Sequence, residues 1–171
     1  RAFFGCSSLP SVDLSYINDL GIEAFYGCEA ITSLHIPSTF YYLPSGTFSG
    51  CEGLKSVYLE APLERIGSQA FYNCPKLTEF VIPDGVTTLE AFYWNCPVEK
   101  ITFGAGIQKI DWTYPEISVF YYNGTMEQWA KVDISKWKNR VEAGGVTLYV
   151  RGAFTVKCLD GDIYDANGFA Q

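Results

Sequence analysis

The chain has 171 residues, enough for one domain or one short solenoid, and its 48% hydrophobic content is too high for a disordered segment. No apolar run reaches the roughly 20 residues that a membrane-spanning helix needs. The net charge is −7, and thirteen of the 19 acids but only six of the 12 Lys and Arg fall in residues 1–116, so the acidic stretch argues against nucleic acid, which requires a basic footprint.

From the first residue onward the chain repeats itself. Cys6, Cys28, Cys51, Cys74 and Cys96 recur at intervals of 22, 23, 23 and 22. A period of that size predicts a stack of coils. Three residues before each cysteine stands a phenylalanine: Phe3, Phe25, Phe48, Phe71 and, one residue further away, Phe92. Phenylalanine is large enough to fill the space between the two walls of a coil. An apolar residue follows at Leu9, Ile31, Leu54, Leu77 and Val98. Then come alternating pairs: Val12/Leu14, Leu34/Ile36, Val57/Leu59, Phe80/Ile82 and Ile101/Phe103. Apolar, polar, apolar is a short strand with one buried face. Pro37, Pro83 and Gly104 turn the chain, and a second apolar pair follows: Ile17/Leu20, Phe40/Leu43, Leu63/Ile66, Val86/Leu89 and Ile107/Ile110. One coil cannot bury its own apolar face, so each needs neighbours.

The pattern Ala-Phe-x-x-Cys-x-x-Leu-x-x-Leu-x-Ile-Pro-x-x-Val-x-x-Ile, clearest in residues 24–43 and 70–89, resembles the BspA-type leucine-rich repeats of bacterial surface proteins. The resemblance implies a right-handed leucine-rich repeat solenoid with one short parallel strand per 22–23-residue coil and little helix. A C-terminal cap with a short helix would close it. The expected division is a repeat array of about five coils over residues 1–116, the first truncated, then a last rung, cap and tail over 117–171. Trp94 departs from the pattern as an insertion. Tyr121 through Trp129 resembles the segment that closes such arrays. The chain opens inside a repeat, which leads to the expectation of more sequence upstream, so nothing follows about a leader peptide. An open first coil also leaves end-to-end self-association as an expected mode.

Beyond the array, Ile117, Phe120 and Tyr122 repeat the strand spacing, which predicts a sixth rung over residues 118–122. Asn123-Gly124 is a turn signal, and Thr125-x-x-Gln128 is a capping box that starts a helix with Trp129 on its buried side. Asn123-Gly124-Thr125 also matches a glycosylation sequon, although the turn explains the same residues conformationally. Lys136, Lys138 and Arg140 around Trp137 read as a solvated loop in preference to a binding patch. Val146, Leu148 and Val150 alternate as a strand, and residues 157–164 suit a hairpin around Asp160-Gly161.

Cysteines stacked in one column point the same way. Parallel side chains keep their Cβ atoms wider than the ~3.5–4.5 Å of a disulfide, so they read as reduced, buried, small apolar residues. Zinc needs four ligands converging on a point, and a column does not converge, so no metal or other cofactor is expected. Catalysis has little to work with: His35 is the single histidine, at an outward position, with no nucleophile beside it. No enzymatic activity is expected.

Binding has the better candidates. Strand parity sends Asp13, His35, Tyr58, Val81, Thr102 and Tyr121 outward in one column. Ser11, Ser33, Ser56, Glu79, Lys100 and Val119 form a second. In a solenoid that face is the extended binding surface. The resemblance implies a non-enzymatic adhesion module of an extracellular or cell-surface bacterial protein, with host or microbial proteins as partners. Two alternatives stand beside it: a glycan-binding module, and a repeat region attached to a catalytic domain outside this chain.

Overall fold

A computed structural model describes residues 1–60, 63–89, 95–111, 119–134, 139–143, 146–150, 155–160 and 163–164. Its strands, in chain order, are β1 (Ser33–Ile36), β2 (Tyr42–Leu43), β3 (Ser56–Leu59), β4 (Arg65–Ile66), β5 (Glu79–Ile82), β6 (Thr88–Leu89), β7 (Lys100–Phe103), β8 (Lys109–Ile110) and β9 (Val119–Tyr122). They are followed by α1 (Met126–Trp129), β10 (Asn139–Ala143), β11 (Val146–Val150), β12 (Thr155–Lys157) and β13 (Ile163–Tyr164). This is a parallel-strand solenoid.

Each coil from the second onward contributes a short strand to one wall, of four residues in β1, β3, β5, β7 and β9. β1 pairs with β3 in parallel, and β5, β7, β9 and β12 pair in turn. The structure adds a second, two-residue strand per coil: β2, β4, β6 and β8 form a continuous parallel ladder on the opposite wall. The apolar pairs of the sequence supply both walls. Leu34, Ile36, Phe80, Ile82, Ile101 and Phe103 face inward from one, and Leu43, Ile66, Leu89 and Ile110 from the other. Burying each such side chain contributes roughly 1.5–3 kcal/mol.

Between the walls the phenylalanines stack. Phe25, Phe48 and Phe71 are buried, with successive centroids 5.4 and 5.7 Å apart and planes within 10°. Phe3 continues the stack at 5.1 Å but stays substantially exposed. Phe92 and Trp94 lie outside the described residues. In the first coil Leu14 is buried and Val12 half-buried, so the inward parity holds, yet residues 11–14 form no strand.

The cysteines need correcting at both ends of the column. All six thiols are unbridged, and Cys28, Cys51 and Cys74 are buried as expected, but Cys6 is exposed and Cys96 half-buried. The buried members are not merely apolar. Each thiol donates to the phenylalanine carbonyl of the coil before it: Cys28 to Phe3 (3.3 Å), Cys51 to Phe25 (3.5 Å) and Cys74 to Phe48 (3.4 Å). The column therefore adds a second donor to the Phe3 and Phe25 carbonyls, which also accept from Cys6 N–H and Cys28 N–H, and gives one to that of Phe48.

One signal in the sequence went unread. The residue before each repeat cysteine has positive φ: Gly5, Gly27 and Gly50 near +70°, Asn73 at 56° and Asn95 at 47°. Glycine, and next to it asparagine, are the residues that tolerate this left-handed turn. At Gly50 an added Cβ would meet only ordinary contacts, Gly27 N at 3.5 Å and Cα at 3.6 Å, so the penalty there is conformational. Gly50→Ala is expected to cost about 1–2 kcal/mol in urea denaturation, and Gly50→Asn clearly less. Equal costs would show that backbone strain is not the cause.

The last rung and cap follow the sequence closely. Phe120 and Tyr122 of β9 are buried; Ile117 and Ser118 lie outside the described residues. Thr125 caps α1 through the predicted capping box: Gln128 N–H donates to Thr125 Oγ1 (3.3 Å), and Thr125 N–H donates to Gln128 Oε1 (2.8 Å). Trp129 is buried against Tyr122 and Phe103, with centroids at 5.2 and 5.9 Å. β10 and β11 form an antiparallel pair. β12 and β13 form the expected hairpin, whose tip residues 161–162 lie outside the described residues, as do 135–138 of the basic loop.

Unforeseen was where that hairpin goes. β12 pairs in parallel with β9 and extends the main wall by one more strand. The tail is fastened there by Leu159 N–H to Gly124 O (3.0 Å) and by Met126 N–H to Asp160 Oδ2 (3.1 Å).

Candidate functional site

Side chains alternate along each strand, so every inward Leu, Ile or Phe of the main wall fixes an outward neighbour. Ser33, His35, Ser56, Tyr58, Glu79, Val81, Lys100 and Tyr121 are exposed, Thr102 is half-buried, and Asp13 is exposed one coil before β1. The side chain of Val119 is outside the described residues. The ladder sets them side by side: His35 opposite Tyr58, Glu79 opposite Lys100, Val81 opposite Thr102, and Thr102 opposite Tyr121.

The face is graded in chemistry along the solenoid. At its amino-terminal end Asp13 Oδ1 accepts from Ser15 N–H (2.9 Å), a bond that holds its carboxyl below the usual range. Next, His35 Nε2 donates to Glu60 Oε1 (2.7 Å), and Ser38 N–H donates to Glu60 Oε2 (2.8 Å). The His35 bond first, then the Ser38 bond, lower the Glu60 pKa and keep it a carboxylate. The His35 and Tyr58 rings meet at 5.3 Å, tilted by 52°. At the carboxy-terminal end the charge is positive. Lys100 Nζ lies 5.2 Å and Lys157 Nζ 5.8 Å from the Tyr121 ring centre.

Between these ends sit the two most exposed apolar side chains of the face, Tyr58 (64% exposed) and Val81 (54%). They belong to β3 and β5, where the main-chain ladder of this wall is interrupted among the described residues. An open depression of about 520 Å³ lies at the carboxyl ends of these two strands. Tyr58, Val81, Ser38, Glu60, Asp84 and Asn123 line it. The arrangement is an apolar centre with hydrogen-bonding groups and charge around it. His35 is committed to Glu60, and the cysteine column lies behind the wall.

Ser38, Glu60, Asp84, Asn123 and Lys157 join the site without having been expected. Glu60 was within reach of sequence reading, because it continues the outward parity of Ser56 and Tyr58. Asp84, Asn123 and Ser38 are turn residues beyond their strands and carry no periodic mark. Lys157 arrives only because β12 docks on β9.

The sequence profile of the BspA type leucine rich repeat region matches residues 1–96 in six copies. A crystal structure of a leucine-rich repeat protein from Bacteroides ovatus is similar, with 15% sequence identity and a TM-score of 0.49. The match covers 74% of this chain and 41% of that one, so the chain spans less than half the length of that structure. No curated protein matches the chain.

Proposed function

The chain belongs to the BspA-type leucine-rich repeat family, and from that premise we propose that it is a non-enzymatic module that binds a protein partner on the exposed strand face, centred on Tyr58 and Val81. The single observation that supports this best is the pair itself: two side chains, 64% and 54% exposed, on a wall whose other described outward residues, Tyr121 apart, are polar or charged. Leaving them in water costs free energy that a partner's apolar side chain would recover. The acidic and basic ends would orient that partner and favour one register over its reverse.

Family membership supports a setting on a bacterial surface or in a secreted protein, with host or microbial surface proteins as the partner class. No helix among the described residues is long and apolar enough to cross a membrane.

A glycan ligand is less well supported. Sugars stack on open aromatic faces, and several of the exposed rings here are engaged, while two of the most open, Tyr16 and Tyr41, lie outside the strand face. Phe4 and Tyr26 stack on each other at 4.7 Å, Arg65 lies over Tyr42 at 5.6 Å, and two lysines flank Tyr121.

The test is a binding screen of the chain against immobilised matrix proteins, bacterial surface proteins and a glycan array, repeated with variants. For a protein hit, Tyr58→Ala is expected to weaken binding about 30-fold, the effect of losing a central aromatic anchor worth ~2 kcal/mol. Its thermal stability should stay within about 0.5 kcal/mol of the parent. Tyr41→Ala, an exposed tyrosine beside the opposite wall, is the control. A confirmed protein partner bound equally well by the Tyr58→Ala/Val81→Ser double variant would remove this face from consideration.

A further inference from the structure

We propose that Asn123 is a site of spontaneous deamidation: the Gly124 nitrogen attacks its side-chain amide, and the residue becomes aspartate or isoaspartate where the last rung meets the cap. The reaction needs no partner, so it stands apart from the binding reading.

An asparagine loses its amide when the backbone nitrogen of the next residue reaches the side-chain carbonyl carbon. That approach requires an accessible amide, a nitrogen not held elsewhere, and no side chain on the next residue to block the way. Asn123 meets all three conditions. It is exposed, and its side-chain amide makes no hydrogen bond among the described residues. The Gly124 N–H likewise donates to none of them. The backbone on either side is held, by Asn123 N–H to Phe103 O (2.8 Å) and by Leu159 N–H to Gly124 O (3.0 Å).

The fold itself requires the vulnerable dipeptide. A Cβ on Gly124 would lie 2.5 Å from the Tyr122 ring and 2.8 Å from Gln128 Oε1. Tyr122 packs on Trp129, and Gln128 closes the capping box. The cap is therefore built around glycine, the residue that shields its nitrogen least. The asparagines of the cysteine column are the contrast. Asn95 Nδ2 donates to Asn73 Oδ1 at 3.0 Å, and the nitrogen that follows Asn73 donates to Cys96 Sγ at 3.1 Å. Asn73 thus has both of its reacting groups engaged.

The chemistry balances with water. The Gly124 nitrogen bonds to the Asn123 side-chain carbonyl carbon, the bond from that carbon to the amide nitrogen breaks, and ammonia departs with the proton of the Gly124 N–H. A cyclic imide remains. Water then adds across one of its two carbon–nitrogen bonds, and its hydrogen returns to Gly124 N. Opening at the side-chain carbon gives aspartate, and opening at the main-chain carbon gives isoaspartate. Either product places a third carboxylate, with Glu60 and Asp84, in the lining of the depression. Isoaspartate also routes the main chain through its Cβ, one atom longer, between the bond to Phe103 and the points where Leu159 and Asp160 fasten the tail.

The test ages the full chain in mildly alkaline buffer, folded and in parallel unfolded in urea, and maps it with trypsin and mass spectrometry. The tryptic peptide 110–131 holds Asn123 as its one asparagine. In the folded chain that peptide is expected to convert to aspartate and isoaspartate forms at a rate within about tenfold of that in urea, or ~1.4 kcal/mol of barrier. The peptides of Asn73 and Asn95 should stay unchanged over the same time. Asn123→Gln, whose longer side chain would have to close a larger ring, should not convert. Hydrogen exchange in β12 should rise when the parent chain is aged and stay constant in the Asn123→Gln chain. The proposal is overturned if Asn123 is retained in the folded chain while it converts in urea, or if folded Asn73 or Asn95 converts as fast. Exchange in β12 that ageing leaves unchanged despite conversion would overturn the loosening of the tail.

Discussion

Phe48→Ala is expected to destabilise the protein by about 3–5 kcal/mol, a large share of the roughly 5–15 kcal/mol that holds a domain folded. Phe48 is fully buried midway along the phenylalanine stack, with Phe25 on one side and Phe71 on the other. Its ring fills the space between two walls that are each held by ladders, so the walls cannot collapse onto the void. The full cavity term then adds to the lost transfer energy. Lost stacking with both neighbours adds about 0.5–1.5 kcal/mol per pair. Coils couple only to their neighbours, and a void in the middle weakens the interfaces on both sides. Urea denaturation followed by circular dichroism and by tyrosine fluorescence should therefore shift together. Phe48→Leu, which keeps most of the volume, should recover much of the loss. A cost below about 1 kcal/mol for the alanine variant would mean that the walls do close, and would remove the ring stack as a principal source of stability.

Trp129→Ala is expected to cost a similar ~3–5 kcal/mol, with a different signature. Trp129 is buried where the last rung meets the cap, packed on Phe103 and Tyr122. Tyr122 in turn donates its hydroxyl to the Ala105 carbonyl at 3.1 Å. Loss of the indole removes the side chain by which α1 is anchored to the last rung, and a single turn of helix has no independent stability. The damage falls at one end of a one-dimensional stack, so the end should open before the middle. Hydrogen exchange is expected to accelerate in β9, α1 and β12 while β1 and β3 stay protected. Uniform acceleration along the whole array would instead show that cap and coils unfold as one unit.

Much of this architecture is legible residue by residue. The parity of Leu34, His35 and Ile36 holds in the structure, and it assigned every described member of the outer columns to its side of the wall. Thr125 and Gln128 marked the start of α1 because a capping box is a local exchange of hydrogen bonds within four residues. The cysteine column was read less well. Shared phase implies burial for all five repeat members, and Cys6 and Cys96 do not share the burial of the other three. The hydrogen bonds from Cys28, Cys51 and Cys74 to phenylalanine carbonyls give those thiols a polar role that the apolar reading missed.

By itself the sequence determined the period, the inward and outward faces, and the helix that begins the cap. All of these arise from interactions within one coil or between identical positions of successive coils, and repetition writes such interactions into the chain many times over. Only the tertiary structure decided that β12 returns to β9 and brings Lys157 beside Tyr121. It alone placed Tyr58 and Val81 at an interruption of the ladder. Each of these is a single event that joins segments by shape and hydrogen bonding, made once in the molecule and marked by no period.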